Sequence, residues 1–287
     1  MNPYDQSGDD NRGRGGGGGR LLMALFIAVV GFIMYMVNTQ QNPITGEKQR
    51  VALTPNEEIR LGIQSAPEMS SEMGGELPSD NIKTKEVINV GNHILTESRA
   101  HNGPWRFQFH VVNDPKTINA FALPGGQIFI TLGLLNKLET EAQLAGILSH
   151  EMGHVIQRHA AQQMAKGQLG NILITAARVG VDSDHSNQAT VVAGVVNKML
   201  QLKYSRNDEL EADQWGLILM SEAGYNPEAM LQVMEILQRE SGTSHQPEML
   251  LTHPYPENRK AQIKDYLSKH PPKPDLSNGK NLKELWN

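Results

Sequence analysis

Five residues near the middle of the chain, His150-Glu151-Met152-Gly153-His154, have the pattern H-E-x-x-H. On a helix, residues four apart lie on the same face, so both imidazoles can reach one ion at about 2.0–2.1 Å. Glu151 follows the first histidine by about 100° of helix rotation, which points its carboxylate beside the ion and toward a bound water. The pattern therefore predicts zinc ligands at His150 and His154 and a general base at Glu151. The alternative is a pair of solvated histidines on a surface helix.

The sequence around this pattern predicts the helix that the geometry requires. Thr140 with Gln143 has the form of a capping box, apolar residues recur at helical spacing, and Gly167 offers a stop. We predict a helix over residues 141–165.

The third ligand must come from elsewhere in the chain, because catalytic zinc usually takes three protein ligands and one water. The chain contains no cysteine, so this ligand must supply nitrogen or oxygen. A third histidine at the spacing H-E-x-x-H-x-x-G-x-x-H would fall at Ala160, and His159, one residue away, is predicted to be a surface histidine. No glutamate lies between residue 152 and Glu209, so Glu209 is the candidate ligand.

A second predicted helix carries Glu209. Residues 205–208 have the form of a capped helix start. Glu209 shares one face of this helix with small residues and with Asp213, so the helix can approach the His150 helix closely. Asp213 is predicted either to accept the second ring N–H of a ligand histidine or to be a solvent-exposed acid, whereas Glu211 should point away and be exposed.

Two strands and a turn are predicted ahead of the metal helix. Residues 105–112 alternate as a strand, in which His110 is a strand-face residue, and Pro124-Gly125-Gly126 forms a turn. This strand and the second strand, which follows the turn, form either an ordinary hairpin or a sheet with an exposed edge that binds the backbone of an extended substrate. The second strand, which would be that edge, consists of Gln127, Ile128, Phe129, Ile130 and Thr131.

The remaining segments are predicted to be packing helices and one long insertion. Helices are expected at residues 54–65, 81–97 and 226–238, and a turn at residues 252–259 leads to a last helix. Residues 168–203 hold two apolar segments, 172–181 and 190–200, too short to cross a membrane. They predict a helical hairpin packed over or beside the site, or a mobile lid.

The chain is expected to have one folded domain with appendages. Residues 1–20 are polar and glycine-rich, which predicts disorder. Leu21–Val37 is an uncharged apolar run at the short end of what spans a bilayer, and it predicts a transmembrane anchor. A cleaved signal peptide or a buried core helix is the alternative, and the lack of a small-x-small cleavage pattern favours retention. A linker at 38–52, the metal domain at 53–270 and a loosely ordered tail at 271–287 follow.

The charge distribution and the composition indicate where the domain is located and which partners are expected. Arg12, Arg14 and Arg20 precede the apolar run, which favours an inside N-terminus. The chain would then be a single-pass protein of the inner (cytoplasmic) membrane, with its domain in the periplasm of a Gram-negative bacterium. A net charge of −5 without a long basic block excludes a nucleic-acid binder. The lack of cysteine excludes disulfides and leaves the redox compartment undetermined.

Four motifs occur in order: N-A-F-A-L-P-G-G, H-E-M-G-H, S-R-N-D-E-L-E-A-D and T-H-P-Y-P-E-N-R. Together they resemble the membrane-associated gluzincin metallopeptidases, which include the CAAX prenyl protease, the HtpX heat-shock protease, mitochondrial Oma-type proteases and periplasmic BepA-like proteases. The resemblance covers roughly residues 54–265. The single apolar run favours the single-anchor, BepA-like or Oma-like branch.

The resemblance implies a fold and a complete site. The fold would be α+β and zincin-like, mainly helical with a small β-sheet, plus one N-terminal transmembrane helix. One zinc ion per chain would be bound by His150, His154 and Glu209, with Glu151 as the acid/base and Asp213 supporting a ligand. His253 and Arg259 would lie near the open side of the metal and stabilise the oxyanion, or His253 would fill the free position in a resting state. The strand at residues 127–131 resembles the substrate-pairing edge.

Three functions are compatible with these residues. The leading hypothesis is a membrane-anchored zinc metalloendopeptidase that hydrolyses unfolded or misassembled proteins in envelope quality control. A second is a membrane-tethered chaperone or assembly factor with a mainly structural zinc, although structural zinc sites usually fill all four positions with protein ligands. A third is a zinc hydrolase that acts on a cell-wall amide. The sequence indicates neither a cleavage preference nor an oligomeric state.

Overall fold

The described part of the chain is mainly helical with a small sheet, as the sequence predicts. The computed structural model describes residues 17–37, 39–51, 53–167, 202–241, 247–253 and 258–286. Its helices are α1 Gly17–Val37, α2 Pro55–Glu72, α3 Ile82–Glu97, α4 Leu132–Leu135, α5 Glu141–Ile156, α6 Arg206–Glu222, α7 Ala229–Ser241, α8 Met249–Thr252, α9 Arg259–Lys269 and α10 Leu282–Leu285. Its strands are β1 Thr39–Gln41, β2 Lys48–Arg50, β3 Gln108–Val112, β4 Ala120–Leu123 and β5 Gln127–Thr131. The apolar segments predicted at 172–181 and 190–200 lie outside the described residues.

The helix α5, which carries the H-E-x-x-H residues, lies at the centre of the domain. All of its residues are buried, and Thr140 caps it by accepting a hydrogen bond from the Gln143 N–H, as predicted. One continuous hydrophobic core fills the space between α5, α3, the sheet, α6 and α7. Burial on every side fixes the orientation of the metal helix.

The predicted continuation of this helix to residue 165 is wrong. The helix ends at Ile156, Arg158 has a positive φ of 59°, and helical structure resumes over residues 159–167. The conformation of Arg158 is rare for a residue with a side chain, so its surroundings must hold it. The guanidinium does so from a fully buried position, since Nη2 bonds Glu58 Oε1 at 2.7 Å and the Leu53 carbonyl at 2.6 Å.

The main sheet has the order β3-β5-β4, with β3 parallel and β4 antiparallel to β5. The predicted turn at Pro124-Gly125-Gly126 is confirmed, and it joins β4 to β5 in a hairpin. The predicted strand at 105–112 does not form a hairpin with residues 127–131, because β3 runs parallel to β5. Gly125 there has a φ of +80°, and a Cβ atom on it would lie 2.3 Å from the Ile59 Cα atom of α2. The expectation that residues 127–131 form an edge is wrong, because this strand is paired on both sides and all of its residues are buried.

The sequence predicts a linker at residues 38–52, but residues 39–50 within it form a docked hairpin. Strands β1 and β2 pair with each other, and two side chains of the hairpin reach the end of α5. Asn42 Nδ2 donates to the Ile156 carbonyl at 2.7 Å, and Gln49 Nε2 donates to the Gln157 carbonyl at 3.0 Å. The last carbonyls of a helix have no partner within the helix, so the hairpin stabilises this terminus.

The C-terminal segment was expected to be loosely ordered, and the structure corrects this. Its backbone caps the start of α5, where the N–H of Glu141 donates to the Lys280 carbonyl at 3.0 Å and that of Ala142 to the Asn278 carbonyl at 3.1 Å. Lys280 Nζ also lies 2.8 Å from Glu141 Oε1, and Leu282 is fully buried. Both ends of the metal helix are therefore held by segments from the two ends of the chain.

The apolar run predicted as an anchor forms α1, which begins at Gly17, four residues earlier than expected. Within the part of the chain that the structure describes, no helix has the length and apolarity needed to cross a membrane.

Candidate metal centre

The three predicted ligands converge where α5 and α6 cross. His150 Nε2 lies 3.1 Å from His154 Nε2, and the Glu209 oxygens lie 3.5 and 3.4 Å from these two nitrogens. All three side chains are buried. Ligand atoms about 2.0–2.2 Å from a tetrahedral ion are roughly 3.3 Å from one another, so this donor set fits zinc.

Small residues let the two helices approach this closely, as predicted. A Cβ atom on Gly153 would lie 2.9 Å from the Ala212 carbonyl oxygen, and one on Gly216 would lie 3.4 Å from the His150 nitrogen. The start of α6 is fixed by the predicted capping box, in which Ser205 and Asp208 bond each other's backbone N–H groups. Glu209 therefore enters the site from a rigid first turn.

His253, at the C-terminus of α8, is the fourth residue of the cluster. Its Nδ1 atom lies 3.0 Å from Glu209 Oε1. Ligand atoms of His150, His154, Glu209 and His253 all lie within 4.8 Å of one another. His253 thus lies within reach of the metal, as the resemblance implies.

Glu151 lies beside these four residues but is not one of the potential metal ligands. Both of its carboxylate oxygens are buried and make no hydrogen bond within the described residues, and Oε1 lies 3.8 Å from His253 Nε2. Burial raises the pKa of the Glu151 carboxyl above its ordinary value. A buried carboxylate without a partner indicates a missing polar ligand, and a water next to the metal meets this requirement.

Asp213 supports the first ligand, and its alternative as a solvent-exposed acid is excluded by its burial. Its Oδ1 atom lies 3.0 Å from His150 Nδ1, which leaves His150 Nε2 to face the metal. Arg259 holds the other side of this carboxylate, with Nε 2.7 Å from Oδ2, and its Nη1 lies 2.9 Å from Glu209 Oε2. The role of Arg259 at an oxyanion stays a prediction, since these contacts direct its nitrogens to the two carboxylates.

The electrostatics of the cluster favour a bound cation. Burial opposes ionisation of Glu209, yet the neighbouring His253 and ligand histidines hold its pKa well below the ordinary value. Burial likewise opposes a charge on His150, but Asp213 and Glu209 raise its pKa to about 9. Two ionised carboxylates in a buried site require compensating positive charge, of which Arg259 supplies one and a divalent ion would supply the rest.

Sequence reasoning missed two residues that contact His154. His159 was predicted at the surface, but it is buried, and its Nδ1 atom lies 2.8 Å from His154 Nδ1. The break at Arg158 turns His159 back toward the site, and helical spacing cannot reveal this. The Tyr204 ring stacks on the His154 imidazole with centroids 4.0 Å apart, and its position next to the Ser205 cap was the available signal.

The strand next to the site is β4 and not β5. Ala122 and Leu123 of β4 line a small cavity together with His154 and Tyr204. In the described residues no further strand pairs with the outer side of β4. The edge that was expected at residues 127–131 therefore lies one strand away, at residues 120–123.

Comparison with known proteins agrees with this geometry. The model of peptidase family M48 matches residues 81–267, which include the metal ligands, Glu151, Asp213, His253 and Arg259. The chain belongs to peptidase family M48. The membrane-associated gluzincin resemblance is confirmed, and zinc is the cofactor that M48 peptidases use.

Several relatives resemble most of this M48 chain. The beta-barrel assembly-enhancing protease of Yersinia pestis is 29% identical over 82% of this chain and 49% of its own length. The mitochondrial metalloendopeptidase OMA1 of Schizosaccharomyces pombe is 31% identical over 83% of this chain and 69% of its own. Human OMA1 is 30% identical over 79% and 45%. The chain spans about half the length of several of the curated relatives it matches.

Proposed function

We propose that this chain is a zinc metalloendopeptidase that hydrolyses peptide bonds in unfolded or misassembled proteins. One observation carries the proposal: His150, His154 and Glu209 converge to within 3.5 Å beside the buried, unpartnered carboxylate of Glu151. When bound, zinc supplies Lewis-acid activation of water and of the scissile carbonyl.

The chain's own residues perform the proton transfers in this proposal. Glu151 removes a proton from the attacking water and then delivers it to the leaving amine. His253 faces Glu151 across 3.8 Å and donates a hydrogen bond to the negative oxygen as it develops. Because His253 belongs to the four-residue cluster, it also has the position to fill the fourth ligand site when no substrate is present.

The substrate class follows from the edge of the sheet. The outer side of β4 presents backbone groups next to His154, and an extended peptide can add there as a further strand. Recognition through backbone hydrogen bonds suits unfolded chains, because it imposes little sequence preference. The names of the relatives, an assembly-enhancing protease and mitochondrial metalloendopeptidases, support envelope quality control as the setting.

A membrane-tethered chaperone with a structural zinc is the second candidate. The observation that favours it is His253, which completes a set of four potential ligands, and structural zinc sites fill all four positions. The two candidates differ in their dependence on Glu151, which is outside the ligand set. Only the peptidase requires its carboxylate.

Membrane attachment through α1 is part of the proposal. Large apolar side chains of this helix are exposed, including Leu22 at 67%, Phe26 at 64% and Val37 at 73%. Such a surface is stabilised by lipid, and the basic residues before the helix favour a cytoplasmic N-terminus with the domain in the periplasm. We expect the full chain to stay in the membrane pellet after alkaline carbonate and to be released by detergent. Release by carbonate alone would contradict insertion.

The peptidase activity is tested with the full chain in detergent and unfolded casein. We expect fragments to appear with time, to stop on addition of a zinc chelator, and to resume when zinc is added back. Fragments that form equally in chelator would overturn the proposal. Prevention of casein aggregation without cleavage would favour the chaperone.

A further inference from the structure

We propose that His159 and Glu211 are positioning residues for zinc binding, which hold the imidazole of His154 in one tautomer and one orientation. The inference rests on the proposed role of His154 as a zinc ligand. His159 Nδ1 lies 2.8 Å from His154 Nδ1, and His159 Nε2 lies 3.2 Å from Glu211 Oε2. The three side chains thus form a chain of hydrogen bonds that leads away from the metal.

The direction of these hydrogen bonds follows from the metal site. His154 Nε2 faces His150 and Glu209 and must be without a proton to bind zinc. Its proton is then on Nδ1, which donates to His159 Nδ1. His159 must accept there, so its own proton is on Nε2, which donates to the Glu211 carboxylate. The Glu211 carboxylate, at the end of this series of hydrogen bonds, therefore determines the tautomers of His159 and His154.

The two ligand histidines of α5 are supported in different ways. His150 Nδ1 lies next to the Asp213 carboxylate directly, whereas His154 Nδ1 meets a neutral imidazole first. The His159 side chain is fully buried, and that of Glu211 is 49% exposed. The series of hydrogen bonds thus runs from the ligand His154 to the surface of the protein. At the surface, Gln157 Nε2 also donates to the Glu211 carboxylate at 3.2 Å.

Two neighbouring helical segments carry these residues: Glu211 lies on α6, and His159 lies in the helical segment that follows the break at Arg158. Glu211 lies on α6 two residues after Glu209, so the same helix turn supplies a metal ligand and the end of the hydrogen-bond chain. His159 reaches His154 only because Arg158 adopts its left-handed conformation. The buried contact of Arg158 with Glu58 stabilises that break. A continuous helix would direct the side chain of residue 159 elsewhere.

The test measures zinc affinity by competition with a chromophoric chelator, so it does not depend on peptidase activity. We expect His159→Phe, which keeps a planar aromatic ring of somewhat larger size and removes the acceptor, to weaken zinc binding by roughly 10–100-fold. His159→Asn should bind zinc within a few-fold of wild type, because its Oδ1 can replace the accepting Nδ1. Glu211→Ala should also weaken zinc binding, by up to about 10-fold, since water only partly replaces a half-exposed carboxylate. Wild-type affinity in Glu211→Ala would contradict the proposal.

Controls separate positioning from a general effect on the fold. The melting temperature of each metal-free variant shows whether it is folded under the conditions of the zinc titration, and His270→Phe, at the exposed histidine just after α9, should bind zinc as wild type does. Wild-type affinity in His159→Phe, or equal losses in His159→Phe and His159→Asn, would overturn the proposal. If the wild-type protein itself binds no zinc, the proposed function is contradicted together with the positioning role. If only the variants behave otherwise than expected, the positioning role alone is contradicted. Glu211→Ala, which changes an exposed residue, keeps the test valid if His159→Phe does not fold.

Discussion

Replacing Glu151 with glutamine is expected to lower kcat for peptide hydrolysis by about 10²–10⁴-fold and to leave one zinc ion bound per chain. Glutamine keeps the shape of the side chain but cannot accept and return a proton. The carboxylate is outside the ligand set, since its oxygens make no hydrogen bond within the described residues and Oε1 lies 3.8 Å from His253 Nε2. Removing a buried negative charge should also not weaken the fold.

Three measurements check this expectation: cleavage of unfolded casein, zinc content by atomic absorption, and the melting temperature. Glu228→Gln is the matched control, because it makes the same chemical change at an exposed glutamate. Undiminished cleavage by Glu151→Gln would remove the assigned base. Full rescue of a deletion phenotype by this variant would instead support the chaperone as the main function.

Replacing Glu209 with glutamine is expected to abolish stoichiometric zinc binding. The substitution removes the only anionic ligand that lies within 3.5 Å of both His150 Nε2 and His154 Nε2 in the described residues. The loss of affinity should exceed the roughly 10–100-fold that an outer hydrogen-bond partner costs. Because zinc at about 100 times its Kd adds roughly 2.7 kcal/mol to the free energy of unfolding, zinc should raise the melting temperature of wild type but not that of Glu209→Gln.

Zinc is removed from the wild type and from both variants and is then added back. The zinc content and the melting temperature are compared after this step. Glu228→Gln should regain both zinc and thermal stability, whereas Glu209→Gln should regain neither. A Glu209→Gln protein that purifies with one zinc per chain would show that another group is the third ligand. In that case His253 would be the first residue to test.

The parts of the site that could be predicted from the sequence depend on local rules. The spacing of His150 and His154, the cap at Thr140 and the small residues facing α6 each follow from helix geometry within one or two turns. The turn at Pro124-Gly125-Gly126 follows in the same way from its proline and glycines. Glu209 could be found because the composition leaves few possible ligands in the intervening sequence.

The parts that could not be predicted depend on contacts between distant segments. The order of the strands places β5 in the centre, and nothing within residues 127–131 reports which strands lie beside it. The helix break at Arg158 requires Glu58, a partner 100 residues earlier. The burial of His159 follows from that break, so the error in one prediction produced the other. Segments that cap α5 at each end were likewise predicted to be loose because their partners are remote.

The hairpin of β1 and β2 determines how far the active site stands from α1. Five residue-to-residue steps lead from Val37 to Asn42 and reach at most about 18 Å. Five steps along α5 from Ile156 back to Glu151 add about 7.5 Å. With the Asn42 and Glu151 side chains and the hydrogen bond from Asn42 to Ile156 added, the Glu151 carboxylate lies no more than roughly 40 Å from the end of α1. If α1 lies in a bilayer, the enzyme works within a thin zone next to the lipid surface. On the proposed function, the substrates of the membrane-bound enzyme would be unfolded polypeptides that lie close to the bilayer.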